Sequence, residues 1–321
     1  MMQVQFDIRF DTASAISQGR RDSQEDALIT DFPIGGQMGI AVLADGMGGH
    51  AGGAVASKIA VTEVFSELKF HCADPDAFQR QPRKVLHDAL VAANACIADQ
   101  VRENQQVRGM GTTLVALVVM PDRLFWVSVG DSPLYLFRKG RLVRLNQIHS
   151  LAPQIDLMVK SGAMSEAVGL WHPDRHCLTS VVGGGKIAKI DLPATPMALN
   201  DGDLLILASD GLETLSREEL QDFLIRHQLM DSAEIAQRLL REVDAYDDPE
   251  QDNLALSVIR ILGPSRTRKK PGKAPRMVAD RGHRNGKLTK TANGTATKAA
   301  GAVSALWPVR SFLSKSVKHE M

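Results

Sequence analysis

Nowhere does the 321-residue chain reach 18 consecutive apolar residues, which removes a membrane-spanning helix from the readings open to it. Nor does it begin with an unbroken apolar stretch. Asp7, Arg9 and Asp11 interrupt the region where a secretory signal needs one, so an intracellular, cytoplasmic protein is expected. Cysteine is scarce: Cys72, Cys96 and Cys177 are odd in number, far apart and in no CxxC pair, which supports neither a disulfide framework nor a structural zinc site. They read as buried apolar fillers in a reducing compartment. Internal repeats are absent too. What the chain does have is 44% hydrophobic residues, enough for a sizeable core, at a length near the upper end for one domain.

The formal net charge of +1 conceals a division along the chain. Positions 264–321 hold 14 Lys and Arg against Asp280 and Glu320, a balance of +12, which leaves −11 for residues 1–263. Segment 264–304 is rich in Lys, Arg, Gly, Thr and Ala and nearly free of large apolar residues, too few to offset the entropy of ordering. A folded domain over 1–263 followed by a basic, disordered tail over 264–321 is therefore expected. The tail ends by mixing Trp307, Phe312 and Leu313 with Arg310, Lys315 and Lys318. It reads either as a solvated linker or as a contact for acidic partners or anionic lipid, peripheral at an inner membrane surface. Nucleic acid is not expected as a partner.

Periodicity within the first 262 residues runs in blocks, which argues for an α+β fold over a doubly wound sheet. Val61, Val64, Phe65 and Leu68 recur at helical spacing, as do Leu86, Ala89, Leu90, Ala93 and Ile97, predicting two long helices in succession. Then come β-rich runs at 112–120, 124–129, 133–137 and 142–145, separated by Pro121-Asp122, Asp131-Ser132 and Lys139-Gly140. After an irregular stretch, a strand at 204–208 leads to helices over 218–226 and 232–243, and a strand over 254–262 closes the domain.

Carboxylates stand where these apolar runs break. Asp45-Gly46 ends the run Gly39-Ile40-Ala41-Val42-Leu43-Ala44, Asp210-Gly211 follows Leu204-Leu205-Ile206-Leu207, Asp252-Asn253 precedes Leu254, and Glu25-Asp26 follows Arg20-Arg21-Asp22. Taken singly, Asp-Gly pairs are ordinary turn signals. Together they describe one polynuclear site assembled from distant segments. Phosphate monoester hydrolysis without a catalyst is among the slowest biological reactions. Two divalent cations answer both obstacles, by acidifying a bridging water and by neutralising phosphoryl oxygens. Mn²⁺ or Mg²⁺ prefer oxygen ligands and need a few carboxylates on rigid strand ends. Arg20 or Arg21 is placed to grip the remaining phosphate oxygens in a planar fork.

The ordered set Arg21-Asp22-Ser23-Gln24-Glu25-Asp26, Asp45-Gly46-Met47-Gly48-Gly49-His50, Gly111-Thr112-Thr113-Leu114, Gly130-Asp131-Ser132, His149-Ser150-Leu151, Leu178-Thr179, Ser209-Asp210-Gly211-Leu212 and Asp252-Asn253 resembles the bacterial PP2C (PPM) family of metal-dependent phosphoserine and phosphothreonine protein phosphatases. The resemblance spans roughly residues 12–262. It implies an α-β-β-α sandwich, two antiparallel sheets flanked by helix pairs, with two Mn²⁺ or Mg²⁺ ions in a cleft at one end. Asp45 would bridge the ions and the Gly46 carbonyl would complete one shell. Glu25, Asp210 and Asp252 would hold the second ion, Asp131 would help Asp210 hold a third, and Arg21 would bind substrate phosphate. Asp26 would sit behind the ligands. The implied partners are phosphorylated proteins and an opposing Ser/Thr kinase.

Departures from the family pattern leave some roles open. Met47 occupies the slot where relatives with a shorter turn place a histidine, and His50 comes three residues later. It is either a proton donor to the leaving alkoxide or a brace for the glycine loop. The segment 155–176 would form the variable flap, and the sequence Leu178-Thr179-Ser180-Val181-Val182 after it lacks the family's arginine. His172 and His176 are four apart, but Pro173 makes a regular helix there a poor expectation, so both read as flap surface. Gly46-Met47-Gly48-Gly49-His50-Ala51 also fits a GxGxxA dinucleotide pattern, but Asp45 would repel a pyrophosphate and no βαβ unit follows. Gly183-Gly184-Gly185-Lys186 fails as a phosphate loop because Ile187 stands where Ser or Thr is needed. A catalytically dead relative would be expected to have lost a metal carboxylate, and none is missing.

Overall fold

The computed structural model describes residues 9–48 and 52–263, all within the first of the two units into which the chain divides, Met1–Thr267 and Arg268–Met321. His50 and the basic tail lie outside the described residues.

Eleven strands and seven α-helices follow one another along the described chain. Strands β1 (Phe10–Ser17), β2 (Asp26–Asp31) and β3 (Gly39–Met47) precede α1 (Gly52–His71), α2 (Pro75–Arg80) and α3 (Pro82–Glu103). Next come β4 (Gly111–Thr112), β5 (Leu114–Met120), β6 (Arg123–Val129), β7 (Leu134–Arg138) and β8 (Arg141–Arg144). The last part holds α4 (Ala152–Lys160), α5 (Glu166–Leu170), β9 (Met197–Ala198), β10 (Leu204–Ala208), α6 (Arg217–His227), α7 (Ser232–Asp244) and β11 (Leu254–Ile261). One sheet runs β1-β11-β10-β7-β8 and the other β2-β3-β5-β6-β9, with β4 paired to β3. Every pairing is antiparallel.

The side-chain period of two explains why the central strands read as unbroken apolar runs. On β3, Ile40, Val42 and Ala44 pack under α1 and α3, while Ala41 and Leu43 face the opposite sheet. On β10, Leu204, Ile206 and Ala208 lie under α6 and α7, while Leu205 and Leu207 point between the sheets. Both faces of each central strand are therefore dry, and the molecule is layered helix, sheet, sheet, helix. The expected α-β-β-α sandwich is what the chain forms.

Local signals start the helices. Asp74 accepts from the backbone N–H groups of Asp76 and Ala77, Ser216 and Glu219 form a reciprocal capping box, and Asp231 caps α7 through Glu234 N–H. In its first half α1 buries Gly52, Gly53, Ala56, Ser57 and Ala60, so the helix lies close against β3.

Three parts of the fold escape apolar periodicity. β1 and β2 are the outer strands of their sheets, and β1 alternates half-buried with exposed residues in place of an apolar run. The stretch expected to be irregular contains α4 and α5, which are short and bury chiefly Ile155 and Gly169. Gly184 packs on α3, where a Cβ would lie 2.7 Å from the Ala98 Cα, and Asn94 accepts from Gly184 N–H and donates to Gly185 O.

Leu207 is fully buried between the sheets. Leu207→Ala is expected to cost about 2–5 kcal/mol by transfer and cavity terms. Urea unfolding should show this as a lower midpoint at unchanged slope.

Candidate active site

Antiparallel pairing brings the carboxylates together. The start of β2 and the end of β3 lie side by side, with Asp26 opposite Asp45, and the end of β10 meets the start of β11, with Ala208 opposite Leu256. Residues at or just beyond those ends, Glu25, Asp45, Asp210 and Asp252, thus come from both sheets to one place. They line a single cleft of ≈ 840 Å³ with Arg21, Gly46, Thr113, Asp131, His176 and Cys177 among its other walls.

Short hydrogen bonds hold the cleft's floor. Thr113 N–H and the Thr112 hydroxyl both donate to Asp45 O, at 2.8 Å each, and Asp45 N–H donates to Thr113 Oγ1 at 3.0 Å. The Thr113 and Ser132 hydroxyls meet at 2.7 Å, which joins the Asp45 strand end to the turn carrying Asp131. That turn passes through Gly130 at φ +98°, where a Cβ would also strike Thr113 Cγ2 at 2.6 Å, so glycine is required twice over. His149 clamps the same turn: its N–H donates to Gly130 O and its Nδ1 accepts from Gly130 N–H at 3.2 Å. Burial lowers the pKa of the His149 ring, which suits the neutral, accepting form. Arg144 donates to Asp131 O and to Glu213 Oε1.

On the other side, Asn253 organises the loop after β1. Its Oδ1 accepts from Glu25 N–H at 2.7 Å, and its Nδ2 donates to Gln18 O and Ser23 O. Glu25 then reaches the start of α1, where a Cβ on Gly53 would sit 2.2 Å from Glu25 Oε2. A carboxylate against a helix N-terminus is favoured by the helix dipole. Arg21 Nη2 donates to Asp252 Oδ2 at 2.5 Å, whereas Arg20 pairs outward with Asp247. Of the two arginines, Arg21 lines the cleft.

Negative charge in the cleft is poorly compensated. Burial first, then Asp210, Asp26, Asp252 and Asp131, holds the Asp45 carboxyl well above the ordinary aspartate range. Burial likewise pushes Asp131 up to about 7, with Asp210 and Glu213 adding to it and Arg144 opposing. Asp210 rises to about 6 through burial and then Asp252 and Glu213, while a hydrogen bond with Asp45 and the charge of His176 pull it down. Asp26 is buried behind the cleft wall and reaches about 7 even though the Ser209 hydroxyl donates to it at 2.6 Å. Uncompensated, oxygen-only carboxylates are a donor set for hard divalent cations. Among the described residues no group of three acidic, imidazole or thiol side chains forms a ready-made metal cage.

All expected site residues within the described part line this cleft: Arg21, Glu25, Asp45, Gly46, Asp131, Asp210 and Asp252. One reading needs an addition and another a correction. His176 is exposed, where flap surface was expected, and it also lines the cleft near Asp210. Cys177 is exposed and also lines the cleft, and Cys72 and Cys96 are only half-buried, so the three are not all interior fillers. Thr113, Ser132, Ser209 and Asn253 support the site without having been singled out for it. The available signal was a hydroxyl or amide placed next to, or at the strand end opposite, each carboxylate.

Two antiparallel sheets, helices on both outer faces and an acidic cleft across their common end define a four-layer sandwich of the phosphatase 2C type. The chain belongs to that family: the model described as Protein phosphatase 2C matches residues 15–251. It is 32% identical over 221 residues to the serine/threonine protein phosphatase PstP of Mycobacterium tuberculosis, covering 68% of this chain and 40% of that protein. It is 28% identical to the serine/threonine phosphatase stp of Listeria welshimeri, covering 68% and 83%. The crystal structure of M. tuberculosis PstP superposes with a TM-score of 0.66 at 29% identity, over 80% of this chain and all of that one. A structure of the PstP catalytic domain in complex with two manganese ions gives 0.62 at 28% identity, over 79% of this chain and 99% of that one.

The raised carboxyls set a pH dependence. With folded values near 6 to 7 for Asp26, Asp131 and Asp210 against 3.8 unfolded, the folded state binds the extra protons between those limits. Stability gained this way is complete below the unfolded value and lost as pH rises through the folded one. In chelator-treated buffer, the melting temperature is expected to climb as pH falls from about 8 to about 5, and added Mn²⁺ is expected to flatten that slope. Thermal melts across that range with and without metal make the comparison.

Proposed function

We propose that the chain is a metal-dependent protein phosphatase that hydrolyses phosphoserine and phosphothreonine by in-line attack of water, opposing a Ser/Thr kinase. The observation that carries the reading is the convergence, at one end of both sheets, of four carboxylates from four separate segments with one arginine at their rim. The family membership and the two manganese ions in the PstP catalytic domain support it.

Asp45 and the Gly46 carbonyl, with Glu25, Asp210 and Asp252, are the groups to hold two Mn²⁺ or Mg²⁺ ions, and Asp131 with Asp210 those to hold a third. Such ions supply an acidified water and charge neutralisation at phosphoryl oxygen. The chain's own contribution is to fix geometry and charge. Thr112 and Thr113 lock the Asp45 backbone, Asn253 locks the Glu25 backbone, and Arg21, paired with Asp252 at the rim, is the group to bind substrate phosphate. His50, expected either to deliver a proton to the leaving alkoxide or to brace the glycine loop, lies outside the described residues.

Asp45→Ala and Asp210→Ala are each expected to remove turnover of a phosphothreonine peptide while leaving the circular dichroism of the fold intact. Arg21→Ala is expected chiefly to raise KM, by about tenfold, for loss of a charge-assisted contact. Excess chelator is expected to silence the wild type. Rapid hydrolysis that survives chelation overturns the reading.

The domain boundary belongs near Gly263, with the basic tail as a separate contact for acidic partners or anionic lipid. Its charge of +12 is the support for this. Among the described residues no helix is long and apolar enough to cross a membrane. Sedimentation with anionic vesicles is expected to carry down the full chain at low salt and not a chain ending at Gly263. Equal, negligible binding of both removes the idea.

A further inference from the structure

Three of the four sheet edges formed by the described residues are short or charged, the usual protections of an edge strand. β8 is four residues long with Arg141 and Arg144 at its ends, and β9 is two residues long. β2 begins with Asp26 and ends with Asp31, which is ion-paired to Lys69. β1, at the fourth edge, has eight residues, no proline, no lysine or arginine, and a single charge at Asp11. Ser14 and Ile16 are its exposed residues, Ile16 to 50%.

The ladder shows which backbone groups of β1 are already used. Leu262 N–H donates to Arg9 O, whereas its neighbour Ile261 turns the other way, donating to Asp203 O and accepting from Gly202 N–H. Bonded residues alternate along an antiparallel ladder. With Phe10 opposite Ile261 and Asp11 opposite Arg260, the bonds to β11 come from Asp11, Ala13, Ala15 and Ser17. The N–H and C=O groups of Phe10, Thr12, Ser14 and Ile16 therefore point to the open edge. Among the described residues β1 has no strand partner but β11.

We propose that β1 pairs antiparallel with β1 of a second copy, about a two-fold axis that passes between the two Ala13 residues. The strand fits its own reverse in this register. Thr12 of one copy lies opposite Ser14 of the other, and Phe10 opposite Ile16, so each outward N–H and C=O meets its complement on both sides of the axis. Phe10 with Ile16 sets an aromatic beside a β-branched side chain, and Thr12 with Ser14 sets two hydroxyls together, both favourable cross-strand combinations. Asp11 falls opposite Ala15 and Ala13 opposite itself, so no like charges meet. Net charge does not hold the copies apart either, since the full chain carries only +1. Two five-stranded sheets become one continuous sheet. Because β1 runs toward the loop that carries Arg21 and Glu25, the antiparallel pairing sends the two clefts to opposite ends of the joined strands.

The test is equilibrium sedimentation of the full chain, where a reversible monomer–dimer equilibrium in the micromolar range is expected. Ser14→Pro removes one outward N–H, and Ile16→Lys places a charge on the edge, neither touching a backbone bond to β11. Each is expected to raise the dissociation constant by about tenfold at unchanged melting temperature. Directly opposed residues of a pair that exchanges no hydrogen bonds bring their Cα atoms to about 4.5 Å, within disulfide reach. Ala13→Cys, in a Cys177→Ser background that removes the exposed thiol, is therefore expected to give a dimer on mild oxidation that a thiol reductant releases. A monomer at every concentration overturns the proposal and leaves the edge to an extended segment of another protein. So does a dimer that neither substitution weakens, or an Ala13→Cys chain that stays monomeric after oxidation. If Ser14→Pro itself melts at lower temperature, Ile16→Lys and the cysteine decide.

Discussion

Loss of water around carboxylates crowded into one half-buried cleft, with their mutual repulsion added, is the constraint to which the rest of the molecule answers. Asp45, Asp131 and Asp210 all ionise with difficulty, and the main reason is loss of water, with each neighbour's charge adding to it. A looser scaffold would relax by letting these side chains turn out to solvent. Here they sit on the ends of strands whose centres are dry on both faces, so relief by movement would disturb the intersheet core. Sites of perturbed ionisation in a cleft are where chemistry is usually found. The persistence of this strain in a well-packed fold fits that pattern.

Alignment of the two sheets is part of the site, because neither sheet owns it. Asp45 and Glu25 belong to one sheet's end, Asp210 and Asp252 to the other's. The Ser209 hydroxyl spans them, donating to Asp26 while accepting from Ala255 N–H at 2.9 Å. Thr113 and Ser132 make a second link, between the β4–β5 junction and the β6–β7 turn. Both links are buried, where a hydrogen bond is strongest and a broken one most costly. Small polar residues thus set the spacing that the apolar core alone leaves unspecified.

What was legible in the sequence follows from burial. Central strands such as β3, β5, β10 and β11 bury both faces, so they appear as continuous apolar runs whose abrupt ends point at Asp45, Asp210 and Asp252. The long helices α1 and α3 have a full apolar stripe and were equally visible. β1 lies at a sheet edge and mixes serine and threonine with alanine, so its pattern is faint, although it frames the loop that carries Arg21 and Glu25. α4 and α5 were hidden for a different reason: at nine and five residues they are too short for an apolar stripe to repeat. Spatial partnerships were beyond reach of a linear reading. Nothing near Thr113 announces Ser132, and nothing near Ser209 announces Asp26, 183 positions away.

The flap's attachment to the body has a consequence for how such proteins diversify. It meets the sandwich through the isolated bridges Ser150↔Leu178 and Thr112↔Val182, with no extended ladder of its own. Insertions, deletions or wholesale replacement between those anchor points would leave strand register in both sheets untouched. A lineage built this way is free to exchange one flap for another while inheriting the reactive end of the molecule unaltered.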